Sequence, residues 1–376
     1  MNNKRAVFYF SSIPFGFLRQ RPQQLFEAWK NDWPEWDFYY VEPPRSTRLL
    51  FSGRENPGEA GVLSGPFSLP ARLAIPGKEA INRLLMEKMI TNRCGGTGTK
   101  VAVVCASLWE PLVSGSLFDL ICYDCLDALE VHASPTRFAE MERKHFRLLA
   151  KSGILFATSG KLFEDISPYA AGKSLIQVSN GVDYEFFQRS QDAGIPWPQL
   201  DGMIVGYVGA IREWRIDFDL IYATAVLMPE AHFLFVGPVS AECAPLVANR
   251  PKNVHFVGER PYSEIPAWIR HFDVAVIPFK HSASVEATYP VKLNEYFSLG
   301  KPVVATPMRE LLPYCDGTLA LAADTPALFV EAIRRLIVNQ GEHAISLRKE
   351  IAQRNSWHSK ANTMMTTIDE YLTPRR

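Results

Sequence analysis

A lysine and a glutamate three residues apart, Lys292 and Glu295, stand in the stretch Tyr289-Pro-Val-Lys-Leu-Asn-Glu-Tyr-Phe-Ser-Leu-Gly300. Residues at that spacing share a helix face, so one cation and one carboxylate are presented side by side. Beside a helix N-terminus such a pair holds two parts of one ligand. Backbone N–H groups and an ammonium suit a phosphate, and a carboxylate suits the two hydroxyls of a ribose. From residue types alone, an i,i+3 surface ion pair is the plain alternative. A second set follows the apolar run 203–208, where Gly209-Ala-Ile-Arg-Glu-Trp-Arg215 leads toward a helix with Asp217 at its cap. Strand, glycine loop and helix in that order suit a diphosphate, with Arg212 or Arg215 supplying charge. Asp217-Phe-Asp219 has the form of a metal-binding pair, but its place at a helix start predicts capping.

A third set closes the apolar run 118–124, in Tyr123-Asp-Cys-Leu-Asp127. Carboxylates at the carboxyl end of a buried strand are costly unless they meet a ligand or a partner. Asp124 and Asp127 are therefore candidates for the general base that an attacking hydroxyl needs, with turn capping as the equal alternative. His132 is a further polar candidate nearby. After the first apolar run, the loop 12–21 and the helix start at Pro22 place Gly16, Arg19, Arg21 and Gln23 to face a cleft, because doubly wound sheets bind ligands beyond the carboxyl ends of their strands. Cys122 and Cys125 form a C-x-x-C within a strand-like run, with no second pair to complete a zinc site. The six cysteines read as reduced core residues.

These residues need elements to position them. Under Lys292 and Glu295 the pattern predicts a helix over 291–299, apolar at Val291, Leu293, Tyr296, Phe297 and Leu299, stopped at Gly300 and followed by a strand over 302–306. Earlier strands are predicted at 5–11, 37–41, 101–106, 118–124, 153–159 and 173–178, later ones at 203–208, 232–236, 254–257, 273–278 and 319–322. Helical patterns alternate with them, and Pro22 sits in the first turn of the earliest. One helix, over 78–93, is predicted to align Ile81, Leu84, Leu85, Lys88 and Met89. Residues 42–77 are rich in Pro, Gly and Arg and read as irregular, and Gly95-Gly-Thr-Gly98 reads as a turn before a strand. The chain of 376 residues exceeds what one core usually serves. The predicted fold class is α/β, with two doubly wound Rossmann-like domains. Their expected bounds are 1–183, a linker at 184–202, 203–356, and a last helix, 357–376, crossing back to the first domain.

The pattern Pro290, Lys292, Glu295, Tyr296, Gly300, Lys301, Pro302, Val303, Val304, Ala305 resembles the donor-nucleotide motif of GT-B glycosyltransferases, in particular bacterial family-4-like (group 1) enzymes that build cell-surface polysaccharides. Asn180-Gly-Val-Asp183 is similar to the crossover motif of such chains, and Arg21-Pro-Gln23 recurs at that position in them. The resemblance implies a GT-B fold with two domains facing a central cleft. It also implies a ribose held by Glu295, a diphosphate held by Lys292 and by basic groups after Gly209, and Tyr289 in the donor site. The family usually has a second glutamate eight residues before the first; here Ala287 stands there, with Glu286 one place off.

The implied activity is transfer of a sugar from a nucleotide-diphosphate donor, a UDP-sugar by preference, to a glycan or lipid-linked glycan in exopolysaccharide, capsule or O-antigen assembly. Closure about a hinge near 180–199 would exclude water. A non-catalytic subunit binding nucleotide sugars or polysaccharide on the same fold is the alternative, while a dinucleotide oxidoreductase lacks its glycine fingerprint. The resemblance implies no cofactor and no metal, the nucleotide sugar being a substrate. A formal net charge of zero argues against nucleic acid as a partner. Residues 1–100 hold fourteen Lys/Arg against nine Asp/Glu, an excess of five that would favour an anionic acceptor or membrane face. No apolar run reaches the ~18 residues of a membrane span, and the N-terminus lacks the pattern of a signal peptide. The expected location is cytoplasmic, with peripheral contact at the inner face of the membrane left open.

Overall fold

The computed structural model describes residues 5–16, 19–44, 60–64, 76–94, 98–129, 135–190 and 194–373. The chain divides into two units, Met1–Ser179 with His358–Arg376, and Asn180–Trp357. In the first, strands β1 (Arg5–Phe10), β2 (Trp36–Val41), β3 (Val62–Leu63), β4 (Thr99–Val104), β5 (Leu120–Cys125), β6 (Ile154–Ala157) and β7 (Ser174–Gln177) alternate with helices α1 (Arg21–Asp32), α2 (Lys78–Cys94), α3 (Pro135–Lys151) and α4 (Gly160–Ile166). They form one parallel sheet of order β3-β2-β1-β4-β5-β6-β7. The order reverses at β1, whose Val7 pairs with Phe38 on one side and Val101 on the other. Parallel strands covered on both faces are apolar without alternation, and β5 is buried at all six positions.

The second unit opens on α5 (Tyr184–Arg189) and continues through β8 (Met203–Val208), α6 (Phe218–Leu227), β9 (Ala231–Val236), α7 (Ala244–Ala248), β10 (Val254–Gly258), α8 (Ile265–Arg270) and β11 (Val274–Ile277). It then runs through α9 (Ala283–Glu286), α10 (Val291–Ser298), β12 (Val303–Ala305), β13 (Ala320–Ala322), α11 (Pro326–Val338) and α12 (Glu342–Arg354). Its parallel sheet has the order β10-β9-β8-β11-β12-β13, reversing at β8. The last helix, α13 (Trp357–Leu372), packs in the first unit from His358 onward. Its Ala361, Met364, Met365 and Ile368 are fully buried, the Ala361 carbonyl accepts from Trp29 Nε1 at 3.1 Å, and Asp369 pairs with Arg5.

Several expectations are adjusted. Residues 184–189 are not linker: they are helical because Asp183 caps them, its Oδ1 accepting from Phe186 N–H, and because Phe187 enters the second core. The first unit ends at Ser179, four residues before the expected boundary. The buried face of α2 is Asn82, Met86 and Ile90, whereas Ile81, Leu84 and Lys88 face solvent. The segment 42–77 contributes the edge strand β3, paired to β2 through Tyr40 and Val41. His132 and Gly95 to Thr97 lie outside the described residues.

Candidate active site

Reversals of strand order open a crevice beyond the carboxyl ends of the strands. In the second unit this place lies between the loops after β8 and β11. Gly209, just past β8, has φ 148°, and a Cβ there would lie 2.8 Å from Tyr207 Oη and 3.2 Å from Lys292 Cε. Only glycine fits, and the lysine stem passes directly over the loop. Gly237, just past β9, also has φ 148°, and its Cβ would meet the Gly209 carbonyl at 2.0 Å. The two loops are thus packed backbone to backbone, with Gly209 N–H donating to Val236 O at 2.9 Å and Ile211 N–H to Pro238 O at 2.9 Å.

From there the chain turns back over β11. Ile216 N–H donates to Arg212 O, Lys280 N–H to Arg215 O at 2.7 Å, and Asp217 N–H to Pro278 O at 2.8 Å. Arg215 is held between two rings, its guanidinium carbon 4.7 Å from the Trp214 centroid and 5.4 Å from that of Phe279. Its Nε is buried and has no hydrogen-bond partner among the described residues. Arg212 is exposed, within reach of the Glu242 charge. Asp217 accepts from Leu220 N–H at 3.0 Å, so it caps α6 as its position predicts. Among the described residues no three His, Cys, Asp or Glu side chains converge as a metal set.

Helix α10 brings the charged pair to this loop. Lys292 Nζ lies 2.7 Å from Glu295 Oε2, with Glu295 buried and Lys292 half-buried. The preceding residue of the glycine loop anchors the helix, because Val208 N–H donates to the Tyr296 hydroxyl at 2.9 Å. Gly300 then ends α10 in the left-handed region, and Lys301 N–H returns to Tyr296 O. Burial pushes the Tyr207 phenol well up; Arg215 draws it down and Glu295 raises it. Both charges act on that one buried phenol, and with the Lys292 stem over Gly209 and its ammonium on Glu295, Gly209, Arg215, Lys292 and Glu295 form one constellation.

Tyr289 does not join it as a ligand group. Its ring is buried, and its hydroxyl donates to Asn294 Oδ1 at 3.3 Å. Burial, followed by Tyr314, holds that phenol well above its ordinary range. Ala287 is buried and Glu286 half-buried at the end of α9. Sequence reading missed Tyr207, Phe279, Trp214 and Asn294; the aromatic residues bracketing Gly209 and Arg215 were the available signal.

On the first unit, the candidate base Asp124 and the expected cleft residues Arg21 and Gln23 turn out to be internal. Asp124 is fully buried and receives Arg21 Nε at 3.1 Å, Arg21 Nη2 at 2.8 Å and Tyr9 Oη at 3.1 Å. A carboxylate so occupied is a structural partner and not a general base, because a buried charge persists only when paired and hydrogen-bonded. Burial pulls the Arg21 guanidinium down, and Asp124 more than offsets this, leaving it raised. Gln23 is also buried: Nε2 donates to Pro14 O at 3.1 Å, and Oε1 accepts from Gln20 N–H in a capping box. It shapes the loop carrying exposed Gly16 without being offered to a ligand. Asp127 is half-buried two residues past β5. Burial raises the Cys105 and Cys125 thiols to about 12, in keeping with inert core cysteines.

Two doubly wound α/β units, each with a strand-order reversal, define the GT-B class. Its solved members include sucrose-phosphate synthase from Thermosynechococcus elongatus, at TM-score 0.71 and 14% identity over 98% of this chain and 99% of that one. HepE of Anabaena, solved in complex with UDP, matches at TM-score 0.68 and 16% identity over 97% and 100%. Residues 202–339 match the family described as Glycosyl transferases group 1. A putative teichuronic acid biosynthesis glycosyltransferase of Bacillus subtilis (strain 168), TuaH, is 27% identical over 274 residues, spanning 66% of this chain and 66% of that protein, just under two thirds. The chain thus has the GT-B fold, and its second unit carries the match to the group 1 glycosyltransferase family. Among the described residues, no helix is long and apolar enough to cross a membrane.

Proposed function

We propose that this chain moves a sugar from a nucleotide-diphosphate donor, a UDP-sugar by preference, onto a glycan or lipid-linked glycan during assembly of a bacterial exopolysaccharide, capsule or O-antigen, in the cytoplasm and at the inner face of the membrane. The observation that carries it is the Lys292–Glu295 pair, 2.7 Å apart and largely sequestered, whose lysine stem crosses Gly209 at the β8 reversal. A donor exchanges that internal ion pair for two better-matched contacts: the ammonium goes to the diphosphate and the carboxylate to the ribose hydroxyls. Arg215, fixed between Trp214 and Phe279 with Nε unmet, and exposed Arg212 add positive charge toward the same ligand. Support for UDP comes from the HepE complex, and support for a cell-surface glycan from the naming of TuaH.

In the reaction the acceptor hydroxyl attacks the anomeric carbon, and the bond from that carbon to the diphosphate oxygen breaks, with the electron pair leaving on the diphosphate. The residues around α10 stabilise that developing charge electrostatically, a task that needs no metal ion. If configuration inverts, Asp127 takes the hydroxyl proton; if it is retained, the departing diphosphate oxygen takes it and no protein base is required. Asp124 is excluded from that role by its partners. The test is thermal shift with UDP, GDP, dTDP, ADP and CDP on wild type and Glu295→Ala. At about 100 Kd a specific ligand stabilises by about 2.7 kcal/mol. UDP should raise the wild-type transition and leave Glu295→Ala unmoved; no shift with any diphosphate sinks the proposal.

A further inference from the structure

Between Lys292 and Glu295 lies Asn294, fully buried. Its Nδ2 donates to Asn180 O at 3.0 Å, and its Oδ1 accepts from Tyr289 Oη at 3.3 Å. Asn180 answers with its own amide, Nδ2 donating to Tyr289 O at 3.0 Å. The three residues close a ring around the turn that leads into α10. The helix has no side-chain cap of its own, because its N-cap is Pro290, which offers no side-chain acceptor. An amide is the group the position needs: it donates and accepts at once, whereas a carboxylate would face the Asn180 carbonyl with no proton to share.

Asn180 is also the residue at which the chain enters the second unit. Just before it, Ser179 O accepts from Arg21 Nη1 at 3.1 Å within the first unit. Just after it, Val182 N–H donates to Asn355 O at 3.0 Å and Val182 O accepts from Trp357 N–H at 3.0 Å. A Cβ on Gly181 would stand 2.9 Å from Asn355 O, so the entering and departing segments lie in contact. We infer that Asn180 and Asn294 are positioning residues that couple the donor-holding turn of α10 to the crossing segments 180–182 and 355–357. The inference deepens the proposed donor site and rests on it for the identity of the ligand.

Two variants of the full chain, Asn294→Asp and Asn180→Ala, test the link from its two ends. Calorimetry with UDP and amide hydrogen exchange are read on each. Leaving a buried polar group unmatched should weaken UDP about tenfold and speed exchange at Val182 and Trp357 about tenfold, with Val254 and Phe256 in β10 unchanged. Unchanged exchange at Val182 and Trp357 in both variants overturns the coupling, as does an equal rise in β10, which is general loss of stability. Should wild type bind no UDP while the localised exchange change persists, the donor reading fails and the coupling stands. Should UDP bind with the expected Glu295 dependence and exchange stay flat, the coupling alone fails.

Discussion

Whether a carboxylate serves chemistry or structure is decided by what its oxygens already accept. Asp124 accepts three hydrogen bonds, two of them from the Arg21 fork, with both side chains removed from solvent. Removing one member of such a pair leaves a buried charge, which costs about 3–5 kcal/mol, while replacing both with apolar groups is often neutral. Asp124→Asn should therefore lower stability by about 3–5 kcal/mol in chemical denaturation, and Arg21→Met with Asp124→Leu should recover much of that loss. A wild-type denaturation midpoint in Asp124→Asn would contradict the structural role. The same residues explain what a sequence reveals. Lys292 and Glu295 are legible because their partnership is local, one turn of one helix. Arg21 and Asp124 lie 103 positions apart, and Asn180 lies 109 from Tyr289, so no spacing rule links them. Strand ends carrying carboxylates look alike whether a ligand or an arginine is waiting.

The strands were the readable elements, since a parallel sheet covered on both faces demands unbroken apolar runs and few other structures do. Helix faces were less so. In α2 the buried row contains Asn82, while Ile81 and Leu84 stand in solvent, so an apolar count selects the wrong side. In α3 the inward row carries His145, whose Nδ1 lies 2.9 Å from the Tyr123 hydroxyl. Burial lowers that imidazole from 6.5 to about 4. Between those values the unfolded chain binds a proton that the folded chain does not, so stability falls as pH drops from about 6.5 to 4. The contribution is at most about 3 kcal/mol, and His145→Gln, which cannot titrate, should reduce the loss measured between pH 7 and pH 4.5. His255 is also lowered, by burial first and then by His232, so some slope remains in the variant. An identical pH profile for wild type and His145→Gln would refute the assignment.

At the scale of the whole molecule, the two units depend unequally on the chain's last turns. The second unit is one continuous segment, Asn180–Trp357, and among the described residues its core draws nothing from those after it. The first is discontinuous, and α13 completes it: Met364, Met365 and Ile368 are fully buried, the Trp29 indole donates to Ala361 O, and Arg21 Nη2 approaches Met364 Sδ at 3.8 Å. Burying a large apolar side chain contributes about 1.5–3 kcal/mol, so these three alone supply about 5–9 kcal/mol. Typical total stabilities are about 5–15 kcal/mol, and the loss is therefore large enough to unfold the first unit. Ending the chain after Trp357 should remove or sharply lower one of two calorimetric transitions and leave the other in place. The surviving transition should still rise with UDP, because Gly209, Arg215, Lys292 and Glu295 all belong to the second unit. Loss of both transitions together would mean that the second unit does not stand without the first, and an unchanged pair would mean that α13 is not the stabilising element its burial makes it.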